Sequence, residues 1–345
     1  MSGIRYLLRR LVLALLVMLG ALTVTFAISH VIPGDPARLY LGARASEEAI
    51  VAVRADLGLD DPLPVQFVRF VSNAVQGEFG YSYRTKRPII EDLAERLPAT
   101  MELVVLATIL ALAVGVPAGV LAAARFASGF DRVMRVVSIL GVSMPAFWLA
   151  LLLQLFFFLW LDLLPLGGRL SQTTSFLHPV TTLTGFHLVD AALTGNWVAW
   201  RDAVAHAILP VVVLATFPVS LTLRMTRASM LDVLAETHIT AARAAGLHER
   251  EILFRLALKN AIVPTLTVLG LVFAFSITGA VLIESIFKWP GLGSYMLDAI
   301  LNDDIPVLFA VTLVVTVIYI VINLLVDLLQ AGLDPRIRLG ESSVG

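Results

Sequence analysis

The stretch that decides the fold is Met101–Ala124, which reads MELVVLATILALAVGVPAGVLAAA. A helix needs about 20 mostly apolar residues to cross the roughly 30 Å of hydrocarbon in a bilayer, so this stretch is a predicted transmembrane helix. Gly115 and Gly119 stand four positions apart in it, a small-xxx-small step that permits close packing on another helix. Pro117 lies between them. Because proline has no N–H for the helical hydrogen bonds, a kink here fits the sequence as well as close packing does.

Five other stretches of the chain meet the same criterion. They are Leu11–Val31, Val136–Leu161, Ala207–Leu223, Ala261–Phe287 and Val307–Leu329. The stretch from Ala207 is the shortest and contains Pro210 and Pro218. We therefore predict an all-α integral membrane protein with six transmembrane helices.

The composition agrees with a membrane protein. Of the 345 residues, 58% are hydrophobic and 15% are charged, and the mean hydropathy is +0.88. Soluble domains have about 45–50% apolar and about 25% charged residues. The net charge of −1 argues against nucleic acid as the main partner, because phosphate binding requires a basic surplus. With no cysteine, the chain can form neither a disulfide nor a thiolate metal site.

The first apolar stretch has two interpretations. Arg5, Arg9 and Arg10 precede it, as in a secretory signal peptide. The stretch is long for a signal peptide, and no clean A-x-A cleavage site follows before Pro33. We therefore expect a retained membrane anchor in residues 1–31.

The distribution of Lys and Arg predicts the orientation. With the N-terminus in the cytoplasm, the cytoplasmic segments contain 14 basic residues, and the two shorter outer connections contain 3. The other 8 lie in the long connection 32–100, whose length exempts it from the positive-inside rule. We therefore expect both chain ends in the cytoplasm and a location in the cell membrane.

The long connections are predicted to be ordered. Ser46 followed by Glu47 and Glu48 is typical of a helix start, and Gly80–Tyr83 is predicted to be extended. Residues 32–95 are therefore expected to form an extracytoplasmic cap. The second outer connection, Asp162–His206, is expected to be a loop that packs on the outer mouth.

The connection Arg224–Asn260 is predicted to form a helical hairpin on the cytoplasmic side. Ser229–Asp232 resembles a capping box, Thr240–Ala245 is rich in Ala, and Gly246 suits the position after a helix end. An ordinary surface hairpin and a docking site for another protein both fit this pattern. Ala-rich faces favour docking because they let a partner approach closely.

These residues, together with segments along nearly the whole chain, resemble the membrane-spanning subunits of ABC importers, within the dipeptide/oligopeptide/nickel permease group. The segments that carry the resemblance are Arg9–Leu11, Ile32–Ala37, Leu57–Gln66, Arg96–Leu103, Gly141–Phe147, Arg227–Leu231, Ala242–Leu247, Ala257–Pro264, Gly279–Gly293, Asn323–Leu329 and Leu333–Arg338. The chain departs from the group's pattern at four positions, His238, Thr240, Ala245 and Leu256.

The resemblance implies a type I ABC importer fold with a five-helix core in residues 96–332 and a cytoplasmic tail in 333–345. It implies that the chain pairs with a second permease, docks two cytoplasmic ATPases and receives short peptides from a solute-binding protein. The expected coupling residues are Thr240, Ala241, Ala242, Arg243, Gly246, Leu247 and Pro264. Arg243 and Arg250 are candidates for pairing with acidic groups of an ATPase.

Several polar residues have both a structural and a functional interpretation. Glu284 is either an interfacial carboxylate in water or part of a structural turn above the pathway, as the family pattern suggests. Asn323 and Asp327 share a helix face, which favours packing over substrate contact. No catalytic residues and no metal site are expected, because the six His residues are scattered.

The chain has no G-x-x-x-x-G-K-[ST] sequence, so we expect ATP and Mg to bind partner ATPases and no cofactor to bind this chain. Two alternatives to peptide import stay open. One is an ABC permease for nickel, glutathione or another small solute. The other is a proton-driven secondary transporter that uses Glu284 or Asp327, although no carboxylate lies clearly at the middle of a span.

Overall fold

The structure is a computed structural model that describes residues 3–31, 36–41 and 46–333. Within them the helices are α1 Gly3–Val31, α2 Pro36–Leu41, α3 Glu47–Leu57, α4 Leu63–Gln76, α5 Ile89–Leu110, α6 Val116–Ala124, α7 Gly129–Ser143, α8 Ala146–Leu153, α9 Gln172–Leu177, α10 His187–Leu193, α11 Trp197–Leu234, α12 Thr237–Ala244, α13 Glu249–Glu251, α14 Leu258–Ile286, α15 Leu292–Leu301 and α16 Ile305–Leu333. Three π-helical segments join or extend them: Ala111–Gly115, Gln154–Trp160 and Ile252–Ala257. Of the motif at 32–37, the structure describes Pro36 and Ala37. Of the predicted tail 333–345, it describes Leu333.

The all-helical prediction is confirmed for the described part of the chain, where the β pairing is one isolated bridge between Tyr81 and Pro88. Four helices there are long and apolar enough to cross a membrane: Ile89–Ala124, Trp197–Leu234, Glu249–Ile286 and Ile305–Val326. The bent pair α7–α8 adds a fifth if it counts as one span. In α1 the apolar part that the structure describes is Leu15–Ala27, so the sixth span stays a prediction.

The third predicted helix, Val136–Leu161, is two helices bent by 103°. The break falls at Met144, whose ψ of 124° is extended, and Pro145 directly precedes the next helix. A residue before proline is disfavoured in the helical region, and proline has no N–H for the helical ladder. Hydropathy alone predicts one continuous helix here because neither effect changes the apolar character of the stretch.

The fourth predicted helix, Ala207–Leu223, is much longer in the structure. Helix α11 extends over 38 residues and contains Pro210 and Pro218 inside it. At 1.5 Å per residue it is about 57 Å long, well beyond the hydrocarbon thickness. Ser229–Asp232 lies inside this helix, so the predicted capping box there is wrong. The packing of Met230 and Val233 in a buried apolar cluster accounts for the continuation.

Helix α11 is the centre of the bundle, with α5, α6, α7 and α14 packed along it. The predicted close packing at Gly115 and Gly119 is confirmed. A Cβ added at Gly115 would lie 2.8 Å from Thr222 Cβ, and one added at Gly119 would lie 2.7 Å from Thr226 Cβ. The π-helical segment Ala111–Gly115 ends two positions before Pro117, so the helix is also irregular where the proline was expected to disturb it.

The connection after α1 carries the predicted short helix. Ser46 caps α3, since its side chain accepts a hydrogen bond from Ala49 N. Helix α4 packs on α1 and α16 through aromatic rings: Phe26 lies 5.3 Å from Phe67, and Phe70 lies 6.1 Å from Phe309, between ring centroids. We call the end of the bundle with α4, α10 and α15 the cap end and the opposite end, with α12 and α13, the hairpin end.

Candidate functional site: the helical hairpin and the cap-end network

The predicted hairpin is confirmed in its geometry. Helix α12 ends at Ala244, and α13 begins at Glu249. Gly246 between them has φ +80°, in the left-handed region where a side chain is strained. Its N–H donates to Arg243 O at 3.0 Å, and Leu247 N donates to Ala242 O at 3.2 Å, so the last carbonyls of α12 are satisfied by the turn itself.

Two isoleucines hold the hairpin on the bundle. Ile239 of α12 and Ile252, directly after α13, are fully buried. They pack in one apolar cluster with Val120 of α6 and Met230 of α11. Burying such a side chain stabilises by about 1.5–3 kcal/mol, so the two anchors fix the hairpin firmly relative to these helices.

The predicted coupling residues lie mostly on the opposite, exposed face. Thr240, Ala241, Arg243, Gly246 and Leu247 are exposed, and Ala242 is half-buried. The small side chains leave the backbone accessible, which permits close approach of a partner. Pro264 is also exposed but lies inside α14 and not in the hairpin.

Arg243 has a partner within the chain. Its Nη2 lies 2.8 Å from Glu249 Oε1 across the Gly246 turn, and this hydrogen bond raises the pKa of the guanidinium. Both side chains are about half exposed, so the ion pair closes the turn without being buried. Arg250 is exposed.

A second ion pair connects α7 and α11 near the hairpin. Arg227 donates two hydrogen bonds to Asp131, Nε to Oδ1 at 2.5 Å and Nη2 to Oδ2 at 2.9 Å. Asp131 is fully buried and also accepts from Ala127 N at 3.2 Å. The bidentate geometry fixes the two helices against each other.

At the cap end, Glu284 is fully buried near the end of α14, so the alternative of an interfacial carboxylate in water is wrong. Its Oε1 accepts from Thr100 Oγ1 at 2.5 Å, and its Oε2 accepts from Ser294 N at 2.8 Å. Gly291 leaves room for the carboxylate, because a Cβ there would clash with it, and a Cβ at Gly293 would clash with the backbone of Val281. Glu284 thus ties the end of α14 to α5 and to the start of α15.

A buried ion pair lies in the same region. Arg169 Nη2 donates to Glu102 Oε2 at 2.5 Å and to Gly185 O at 2.8 Å, and Glu102 Oε1 accepts from Leu188 N at 2.9 Å. The guanidinium also lies 5.6 Å from the ring centroid of Trp289. Sequence patterns did not predict this pair, because the partners are 67 positions apart and Arg169 lies in a predicted loop.

The connection around α10 is held by Asp190. Its carboxylate accepts from Leu183 N, Thr184 N and Gly185 N. Burial by itself raises the pKa of Asp190, but hydrogen bonds from Thr184 and these backbone groups outweigh it, so the pKa lies below its ordinary value. Burial and then the charge of Arg169 lower the pKa of His187 to about 4.

Of the pair Asn323 and Asp327, the structure describes the side chain of Asn323. Asn323 Nδ2 donates to Tyr319 O of its own helix at 3.0 Å. Asp327 belongs to α16, and its side chain lies outside the described residues. Among the described residues, no group of three or more His, Asp or Glu side chains is placed to hold a metal ion.

The described part of the chain is thus a helical membrane protein with a hairpin at one end and an ordered cap at the other. Residues 115–339 match the family described as binding-protein-dependent transport system inner membrane component. Residues 3–104 match the N-terminal part of such membrane components. The chain belongs to this family of inner membrane transport components, as the sequence resemblance predicted.

Several curated relatives cover nearly the whole chain. The probable D,D-dipeptide transport system permease protein DdpB of Escherichia coli K12 is 44% identical over 325 residues, which is 94% of this chain and 95% of that protein. The dipeptide transport system permease protein DppB of the same organism is 42% identical over 336 residues, 97% and 99% of the two chains. The di/tripeptide transport system permease protein DppB of Pseudomonas aeruginosa is 40% identical over 331 residues, 96% and 97%.

Proposed function

We propose that this chain is a permease subunit of an ATP-driven importer of short peptides. The relatives named as dipeptide and di/tripeptide permeases, which match over almost their full length, support the substrate class. In this proposal a second permease chain completes the pathway, and a solute-binding protein delivers the peptide at the cap end. Two ATPases, which bind ATP and Mg, dock at the hairpin end, and that end faces the cytoplasm together with both chain termini.

The observation that carries the coupling proposal is the construction of the hairpin. Buried Ile239 and Ile252 fix it to α6 and α11, whereas Ala241, Gly246 and Leu247 are exposed. A protein that holds this exposed face moves the bundle with it, because the chain runs from α13 through the π-helical segment directly into α14.

Coupling then requires that the ATPases hold the hairpin differently in their open and closed states. A ligand shifts a conformational equilibrium only as far as it binds the two states differently. ATP binding closes the ATPase pair, and the anchored hairpin transmits that change to α11 and α14. Hydrolysis and release of the nucleotide return the helices to the first arrangement.

The experiment is uptake of radiolabelled Ala-Ala into proteoliposomes that contain the complete complex, with and without ATP. The informative variant is Gly246→Val, since φ +80° strains any β-branched residue and nothing lies within 4 Å of the added Cβ. The change therefore reshapes the turn without a clash. We expect loss of ATPase docking, or ATP hydrolysis without uptake.

Gly77→Val is the matched control. Gly77 also follows a helix, has φ +77° and has nothing within 4 Å of an added Cβ, but it lies at the end of α4 in the cap. Normal uptake by Gly246→Val at normal subunit stoichiometry would overturn the coupling role. ATP-dependent uptake of nickel, glutathione or another solute in place of Ala-Ala would overturn the substrate class. Uptake by the permeases without any ATPase would favour the proton-driven alternative.

A further inference from the structure

A cavity of about 160 Å³ lies at the bend between α7 and α8. Its walls come from Gly141, Met144 and Ala146 at the bend and from α11 and α14. Pro218, on the α11 wall, is about 32 Å from Trp197 and about 24 Å from Leu234 along the helix, so the cavity lies near mid-length of the bundle. It has an open side, where the rings of Phe217 and Phe275 are exposed.

The broken backbone at the bend needs polar partners at this depth. Helix α8 starts after Pro145 without a side-chain cap, so the helix itself does not satisfy its first N–H groups. Non-helical backbone at membrane depth is tolerated where it is buried in protein or lines a water-filled cavity. Met144 and Ala146 line the cavity, so the broken backbone at the bend borders this space.

The remaining lining is apolar and uncharged. No lining residue carries a charge, and the two hydroxyl groups are occupied within their own helices: Thr216 Oγ1 donates to Val212 O and Ser276 Oγ to Val272 O, both at 2.8 Å. The cavity therefore offers no strong binding group for a charged ligand. The size of a molecule is then the property by which the cavity selects among those that enter it.

We propose that this cavity is a section of the translocation pathway that limits the size of the peptide side chains that pass, with Met144, Phe217 and Phe275 setting the limit. The proposal rests on the proposed function of the chain as a peptide permease. An uncharged passage suits a solute that must leave again, because strong binding at this depth would retain it.

Gly279 provides a clean way to narrow the cavity. It lines the cavity from α14, and an added Cβ meets nothing within 4 Å. Gly279→Leu therefore adds an isobutyl group to open space. Gly20→Leu is the matched control, because Gly20 is also a helical glycine with nothing within 4 Å of an added Cβ but belongs to α1.

The experiment measures uptake of labelled Ala-Ala and Phe-Phe by the complete complex in proteoliposomes, with the same binding protein in every arm. For Gly279→Leu we expect the ratio of Phe-Phe to Ala-Ala uptake to fall about tenfold. Gly20→Leu should keep the wild-type ratio. Met144→Ala and Phe275→Ala should raise the ratio, which keeps the test valid if Gly279→Leu does not assemble.

An unchanged ratio in Gly279→Leu and in both widening variants would overturn the size limit. An equal loss of Ala-Ala and Phe-Phe uptake in Gly279→Leu, with unchanged uptake ratios in Met144→Ala and Phe275→Ala, would also overturn the size limit. A wild-type complex that takes up neither peptide would overturn the proposed function and the size limit with it, so the two failures are distinguishable.

Discussion

The two ends of the bundle are built by different means. At the cap end, buried polar groups link distant parts of the chain: Glu102 pairs with Arg169, and Glu284 bonds to Thr100 and Ser294. At the hairpin end, buried apolar anchors support an exposed face of small residues, and the ion pair Arg243–Glu249 is exposed. Buried networks specify one arrangement, since each unpaired group is costly, whereas an exposed face can be held in more than one way.

The largest effect is expected at the buried ion pair of the cap end. Arg169→Ala leaves the carboxylate of Glu102 buried without its cation, which costs about 3–5 kcal/mol. Thermal unfolding of the purified complex in detergent should show a large drop in midpoint. Arg201→Ala, at an exposed arginine, is the control.

The double variant Glu102→Leu/Arg169→Met removes both charges of the ion pair, so it leaves no unpaired charge buried. Replacing both charges by apolar groups is often close to neutral, so much of the lost stability should return. Recovery will be partial, because Leu188 N and Gly185 O also lose their partners. A single variant Arg169→Ala as stable as Arg201→Ala would contradict the assignment of a rigid cap end.

The next largest effect is expected at Glu284. Glu284→Leu removes the acceptor of the Thr100 hydroxyl and of Ser294 N, and each buried donor left without a partner costs about 1–3 kcal/mol. The loss of both hydrogen bonds should lower the thermal midpoint clearly. Glu78→Leu, at an exposed glutamate, provides the control. Equal midpoints for the two variants would mean that Glu284 does not hold the turn.

Local sequence patterns predicted the features that depend on local chemistry. The Ala-rich segment and Gly246 predicted the hairpin, because a left-handed turn after a helix requires glycine. Gly115 and Gly119 predicted the close packing, because their spacing places both on one helix face. The apolar stretches predicted the long helices, although packing extends α11 well beyond its apolar part at both ends.

The features that sequence patterns did not predict depend on residues far apart in the chain. Arg169 and Glu102 meet only because α5 and the connection before α10 fold together, and Thr100 is 184 positions from Glu284. The bend at Met144–Pro145 was missed for another reason: hydropathy weighs side chains and ignores the missing N–H of proline. Its signal, a proline in an apolar stretch, was present in the sequence.

A smaller effect is expected where α6 packs on α11. Gly119→Leu forces a side chain against Thr226 and Leu223 O, and overpacking of this kind costs about 1–3 kcal/mol. Gly20→Leu adds the same group to a helix where nothing lies within 4 Å. The difference between the unfolding midpoints of Gly119→Leu and Gly20→Leu measures the effect of overpacking at the contact between α6 and α11. Equal midpoints would mean that α6 and α11 can move apart without loss of stability.

The smallest effect on stability is expected at the exposed ion pair of the hairpin. Arg243→Ala and Glu249→Ala each remove a pair that is about half exposed, and such pairs contribute about 0–1 kcal/mol. Both should unfold near the wild-type midpoint, and the double variant should be no less stable than either single variant. Because the pair closes the turn at Gly246, both single variants should lower peptide uptake per ATP to a similar degree, and less than Gly246→Val does. A drop in midpoint as large as that of Glu284→Leu would mean that the hairpin end is built as rigidly as the cap end.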